Sequence, residues 1–405
     1  MPVAAELELP SFDHTNPELR GERYRAAMST LNGHDGWLAA SPFGYIVLDR
    51  ESGEFFLRTK AAVFPGLIIA DLFGITDGPL REEIVKNVIN VNGDDHRRLR
   101  NLVNPALSPR AVDRYRPAMR RFAAELLAAV PADGRLEFIA DFAKPYPSLV
   151  IAEVMGVPRD DAPRLHHWSN VIQRQFDPTS LMNQREQIEQ AVAEFYEYED
   201  RLIASRRPAP GDDLISALIS AEEAGDRLSD DELRNLVLNI LVGGVDTSQS
   251  QLAHAVRLLA EHPDQWLLLR RDPRGLAGAA VEEALRCEPI TPFTARILID
   301  EVEYRDVRFP AGSIVLVSAW HAHRAGGAEP DGFDLSAERS RERLLTFGAG
   351  IHYCVGANLA RAEMQEALAF LAERVRTIEL DGEPEFGTPS GIYGLESLPL
   401  KLALA

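Results

Sequence analysis

Phe347-Gly348-Ala349-Gly350-Ile351-His352-Tyr353-Cys354-Val355-Gly356 crowds three glycines around one cysteine and runs straight into a helical pattern carried by Leu359, Ala360, Glu363 and Met364. Glycine permits tight turns with dihedrals closed to other residues. Cys354 then falls at or near a helix N-terminus, where backbone amides and the positive dipole end stabilise a thiolate. A thiolate is either a nucleophile or a soft metal ligand. A lone cysteine is ordinarily a small buried hydrophobe, and the glycine-rich surroundings argue against that here. A thiol-hydrolase reading would use His352 as base, but two residues apart in a tight loop the pair is poorly placed to hydrogen-bond.

The rest of the chain narrows the choice. Its 405 residues are 45% hydrophobic and 26% charged, ordinary globular values that argue against disorder, a collagen-like chain or a membrane bundle. With 43 Lys+Arg against 62 Asp+Glu the net charge is −19, which disfavours nucleic acid and anionic membranes as partners. The two cysteines, Cys287 and Cys354, exclude a disulfide framework and multi-cysteine zinc or iron–sulfur sites. Neither a cationic region nor a long apolar stretch opens the chain at Met1–Glu8, so the expected location is the cytoplasm.

Periodicity predicts a mainly α protein with small β-sheets. Tyr45–Leu48 and Phe55–Leu57, flanking the polar stretch 49–54 with Gly53, predict a hairpin with a longer loop. Helical patterns dominate from about Asp95 to Ala260, broken at Pro131–Gly134 and Pro208–Gly211. Strand patterns follow at Arg296–Ile299 and Val302–Tyr304, and a buried strand at Ile314–Val317. Ser229 and Glu232 form a capping-box signature ahead of an apolar face that continues to Pro263, predicting one helix of about 30 residues. Its middle holds Gly243-Gly244-Val245-Asp246-Thr247, and two glycines inside a helix cost together about 2 kcal/mol relative to alanine. Close helix packing explains such glycines, and so does a flat ligand lying on the helix. Thr247 can bond back to the carbonyl at position 243 and open a polar notch, and Asp246 beside it can relay protons.

Phe-Gly-x-Gly-x-His-x-Cys-x-Gly, as it stands from Phe347 to Gly356, resembles the haem-binding loop of the cytochrome P450 superfamily. Other signatures occur in that family's order from about Asn16 to Leu400, with the bacterial soluble type the nearest likeness. Glu283-Ala284-Leu285-Arg286 resembles its Glu-x-x-Arg, Gly243–Thr247 its oxygen-activation motif, and His96–Arg100 the segment that reaches the haem propionates. The resemblance implies a single P450 domain over residues 1–405, with haem b (iron protoporphyrin IX) held between a long central helix and the cysteine loop. It implies Cys354 as the metal ligand, with Phe347, Gly348, Gly356, Gly243 and Gly244 around the cofactor. His96, Arg100, Arg296 and His352 fall where the family places propionate partners; Leu344, beside Arg343, departs from the histidine common there. Glu283, Arg286 and Arg339 would form a buried structural network, and Asp246 and Thr247 would deliver protons.

The same resemblance implies a monooxygenase that hydroxylates or epoxidises a hydrophobic small molecule with O2 and electrons from ferredoxin and ferredoxin reductase. Desaturation, cyclisation or oxidative coupling on the same haem is the alternative, and a non-catalytic sensing module a remote one. The pocket would draw on Phe64–Phe73, Asn170–Asn183, Asn239, Val242, Pro292, Phe293, Ile392 and Tyr393. Asn239 interrupts an apolar run, which suggests a hydrogen bond to an oxygenated substrate. Eight arginines against Asp113 make residues 96–121 a +7 segment, expected to dock an acidic ferredoxin.

Overall fold

The structure, a computed structural model, describes residues 2–32, 36–223, 228–324, 332–337 and 343–404. Several helices begin where a side chain accepts a backbone amide that would otherwise lack a partner. Asp49 accepts from Ser52 N ahead of α1 (Arg50–Arg58). Short helices α2 (Gly66–Leu72) and α3 (Gly78–Lys86) lead to α4 (Gly93–Val103), which carries the basic motif. The helical middle continues with α5 (Pro145–Met155), α6 (Ala162–Gln173) and α7 (Arg185–Arg206).

Phe55-Phe56-Leu57 lies on α1 and not in a hairpin. The Asp49 cap turns the chain into a helix, and burying Phe56 against Tyr304 and Phe309 outweighs the local strand preference of two aromatics. The hairpin lies upstream, pairing Leu38–Ser41 with Gly44–Val47. At Gly44 (φ 149°) an added Cβ would stand 2.1 Å from the Ile314 carbonyl oxygen, so only glycine lets these strands meet. That strand then runs parallel to Ile314–Ser318, the predicted buried strand, which pairs antiparallel with Phe293–Leu298 and through it with Ala62–Val63. A separate sheet joins Arg135–Glu137, Pro399–Leu404 and Val375–Leu380.

The predicted long helix is two helices, α8 (Asp230–Gly244) and α9 (Asp246–Glu261), separated at Val245. The Ser229–Glu232 capping box starts α8 as expected. The interruption comes from Thr247, whose Oγ1 donates to the Gly243 carbonyl at 2.6 Å and competes with the backbone ladder. Beyond it nearly every residue of α9 is buried, so this helix runs through the main core. It packs against α10 (Pro273–Cys287), where Glu283 and Arg286 form a bidentate pair at 2.8 and 2.9 Å, both buried. Arg339, expected beside them, lies outside the described residues. The helix α11 (Ala357–Arg374) closes the core against α10. Among the described residues no helix is long and apolar enough to cross a membrane.

Candidate functional site

The cysteine loop is a set of turns only glycine can make. Gly348 (φ 70°) and Gly350 (φ 72°) are left-handed, and a Cβ on Gly350 would fall 2.7 Å from the Leu57 carbonyl oxygen. The loop is therefore pressed onto the end of α1. Gly356 has an ordinary φ of −81°; its would-be Cβ meets Cys354 Sγ at 3.9 Å. The Cys354 amide donates to the Phe347 carbonyl at 2.9 Å, closing the loop just before α11. The Cys354 side chain is exposed, although Ala349, Ala357 and Leu359 around it are buried, so the sulfur faces a hollow.

Protein packed around that hollow desolvates the sulfur and raises the Cys354 thiol above its ordinary value, against the pull of the Gly356 and Ala357 amides and the Arg100 and Arg361 guanidinium groups. The amides at the helix end pull toward the thiolate, as expected, and desolvation opposes them. Cys287 is buried and its thiol is pushed up to about 11, which makes it inert.

Two arginines and two neutral histidines gather beside this sulfur. His96 and Arg100 lie one turn apart on α4. The His96 ring meets the His352 ring edge-on at 4.4 Å, and Arg100 donates to the Tyr353 carbonyl at 2.8 Å. His352 Nε2 lies 3.1 Å from Asn92 Oδ1, a contact the sequence argument missed. Arg296, only 3% exposed, meets the Ala295 carbonyl at 2.8 Å and no carboxylate among the described residues. His96 Nε2 is buried without a partner among the described residues. Burial pushes Arg296 down to about 10 and His96 to about 4; for His352 burial together with the His96, Arg296 and Arg100 charges gives about 3. Buried charge without a counter-charge is costly, so the set fits a ligand that brings two carboxylates. A porphyrin with propionates meets that description. Arg343 lays its guanidinium over the Tyr353 ring at 5.3 Å, and Leu344 packs on the core.

The two glycines of the central helix differ. Gly243 is exposed between buried Val242 and Val245, and a Cβ there would touch nothing within 4 Å. Gly244 does not face that opening: its Cβ would stand 2.6 Å from Ile151 Cδ1 on α5, so its role is close helix packing. Asp246 is buried and accepts from Asn170 Nδ2 at 3.2 Å, while Asn170 Oδ1 accepts from Arg174 at 2.9 Å. Burial raises the Asp246 carboxyl, opposed by Asn170, Arg174 and Lys144. Arg174 lies far from Asp246 in sequence, and no local spacing could signal the link.

Several expected pocket residues are engaged elsewhere. Asn239 Oδ1 accepts the Val88 amide at 2.9 Å and its Nδ2 approaches Glu83 at 3.4 Å, so its carboxamide serves the fold and not a substrate. Phe293 packs with Phe12 and His14, and Tyr393 is buried against Tyr24 and His254. Val242 and Pro292 are buried and Ile392 is half-buried. The basic segment is more heavily paired than its charge count suggests. Arg97, Arg98, Arg114, Arg116, Arg120 and Arg121 each pair with carboxylates, including Glu232, Asp212, Glu366, Glu373 and Glu153 from distant elements. A surplus counted along the chain is largely matched in three dimensions.

Comparison with known proteins agrees with this geometry. The family model described as Cytochrome P450 matches residues 77–270 and 274–391. Luteothin monooxygenase of Streptomyces thioluteus is 34% identical over 409 residues, covering 98% of this chain and 97% of that one. Mycinamicin IV hydroxylase/epoxidase of Micromonospora griseorubida is 37% identical over 312 residues, 75% of this chain and 76% of that one. The crystal structure of CalO2 superposes with a TM-score of 0.89 at 30% identity, covering 98% and 99% of the two chains. This chain belongs to the cytochrome P450 family, alongside its bacterial members, and is a haem-dependent monooxygenase that acts on a small molecule with O2 and a redox partner.

Proposed function

We propose that the chain, as one P450 domain, holds haem b through Cys354 and inserts one atom of O2 into a hydrophobic small molecule, by hydroxylation or epoxidation. The observation that carries this reading is the open Cys354 side chain beside Arg100 and Arg296, which meet no carboxylate among the described residues, and beside the buried His96 Nε2, which has no partner among them. In it the three residues, with His352, hold the two propionates, and Gly243 leaves room for the ring. Bound there, haem supplies dioxygen binding and O–O cleavage favoured by the thiolate. The protein's part is to hold protons where they are needed and exclude bulk water. Thr247 Oγ1 holds its proton toward the Gly243 carbonyl, and Asp246, steadied by Asn170 and Arg174, can pass protons to that hydroxyl.

The relative named as a hydroxylase/epoxidase supports the reaction class. A cytoplasmic ferredoxin and its reductase as electron source follow from the likeness to the bacterial type, not from the 96–121 arginines. The test is the ferrous carbonyl spectrum of purified protein. A red-displaced Soret band in the wild type, absent in Cys354→Ala, supports the reading; haem-loaded protein without that band in the wild type overturns it. A screen for substrate-induced Soret shifts, followed by product analysis with ferredoxin and reductase, then tests substrate and partner.

A further inference from the structure

A charged cluster that the proton path does not use bears on the cysteine loop. Tyr353 stands immediately before Cys354, and three guanidinium groups reach it. Arg100 donates to its carbonyl at 2.8 Å, Arg343 lies over its ring at 5.3 Å, and Arg361 donates to its hydroxyl at 3.3 Å. Arg361, in the second turn of α11, also stands over the Phe347 ring at 4.4 Å. Phe347 is the residue whose carbonyl accepts the Cys354 amide. One guanidinium therefore touches both ends of the turn that carries the sulfur.

Of the three, Arg361 alone pairs with a carboxylate among the described residues. Its Nε and Nη2 donate to the two oxygens of Glu282, on α10, at 2.5 and 3.1 Å. The Arg361 side chain is 22% exposed and that of Glu282 44%. The pair is thus a dipole with its positive end on the loop and its negative end toward water. An ion pair this open to solvent contributes little to stability. Its orientation nevertheless places a charge where it acts on the Cys354 sulfur.

A thiolate gives electron density to the metal it holds, and the field at the sulfur sets how readily that metal accepts an electron. A fixed positive charge favours the reduced form, which carries one more electron, and a carboxylate behind it takes back part of the effect. We propose that Arg361 is a positioning residue that, from its seat on Phe347 and Tyr353, raises the reduction potential of the metal held by Cys354, and that Glu282 limits the rise. This rests on reading Cys354 as the haem ligand. The two partners of one ion pair then act in opposite directions, whereas a pair that only braced the fold would act in one.

The test is anaerobic reduction of the haem-loaded enzyme against a reference dye, with the ferrous carbonyl spectrum recorded on each sample. Arg361→Gln lowers the ferrous-to-ferric ratio several-fold at a given dye potential. Glu282→Gln raises it, by less because that carboxylate is more exposed. Arg361→Lys, which keeps the charge and loses the fork, stays near the wild type. The infrared C–O stretch of the carbonyl complex agrees, falling in Arg361→Gln, where the sulfur donates more, and rising in Glu282→Gln. Potentials that move the same way in the two glutamine variants, or in neither, overturn the proposal, as does an Arg361→Lys potential equal to that of Arg361→Gln. Should Arg361→Gln fail to fold, a fall or no change in Glu282→Gln overturns it and a rise supports it. A wild type without the red-displaced carbonyl band fails the haem-ligand reading and the proposal with it; a wild type with the band and unmoved potentials fails the proposal alone.

Discussion

Thr247 and Arg296 show how much one side chain decides here. The Thr247 hydroxyl is already directed at the Gly243 carbonyl, beside a buried carboxyl. Thr247→Ala should leave haem content and the carbonyl band intact while product formed per NAD(P)H falls several-fold and hydrogen peroxide rises. Unchanged coupling would remove Thr247 from proton delivery. Arg296 predicts two effects of opposite sign. Its guanidinium is buried and meets no carboxylate among the described residues, so Arg296→Met should stabilise the apoprotein on the order of 1 kcal/mol in urea unfolding. The same change should lower haem occupancy after reconstitution. If apoprotein stability fell and haem retention held, Arg296 would be an ordinary structural arginine. The back-bond of Thr247 was legible from a four-residue spacing; the isolation of Arg296 was not, because it depends on which carboxylates the fold keeps away.

Elements explain why the central helix breaks where it does. Alanine is favoured over glycine inside a helix by about 1 kcal/mol, and at Gly243 an added methyl meets open space. At Gly244 it meets Ile151 Cδ1 at 2.6 Å, a clash that costs about 1–3 kcal/mol. Gly243→Ala should therefore be neutral or stabilising in denaturant titrations, Gly244→Ala destabilising, and Ile151→Ala should recover much of the loss in the double variant. Equal effects at the two glycines would contradict the assignment of one to the pocket and the other to packing. The two explanations weighed for this pair were each physically sound, and neighbouring α5 decides which applies where. Phe55–Leu57 teaches the converse. Adjacent aromatics after a polar stretch suggest a strand, and the Asp49 cap with burial against Tyr304 and Phe309 tips the balance to a helix.

At the scale of the molecule, buried ionisable groups set the pH range of stability. His254 and His321 are buried, His323 is half-buried, and desolvation holds all three neutral, with folded values near 4, 4 and 3, below the ordinary histidine value. As pH falls below about 6.5 the unfolded chain takes up protons there that the folded chain refuses, so stability drops toward acid. Glu363 acts oppositely: burial lifts its carboxyl to about 8 against the Ser248 hydroxyl. Its stabilising proton is fully retained below the ordinary glutamate value and lost as pH rises to about 8. Thermal midpoints should therefore decline on both sides of a maximum near neutrality, and Glu363→Gln should flatten the alkaline arm between pH 6.5 and 8. An alkaline arm unchanged in that variant would assign the slope to other groups.

The chain by itself determined what neighbours in sequence can enforce. The glycine turns around Cys354, the Ser229–Glu232 cap, the Thr247 hydroxyl reaching back to residue 243 and the buried strand at Ile314–Val317 all follow from dihedral freedom, capping and periodicity within a few residues. Tertiary structure decided everything that depends on a distant partner. It turned Asn239 toward Val88, 151 residues away, matched most of the arginines between 97 and 121 with acids, placed Phe293 and Tyr393 in a separate core cluster, and joined Asp246 to Asn170. The reason is physical: a side chain's local preference is worth at most about 1 kcal/mol, whereas the hydrogen bonds, charges and apolar area it meets across the fold are worth more.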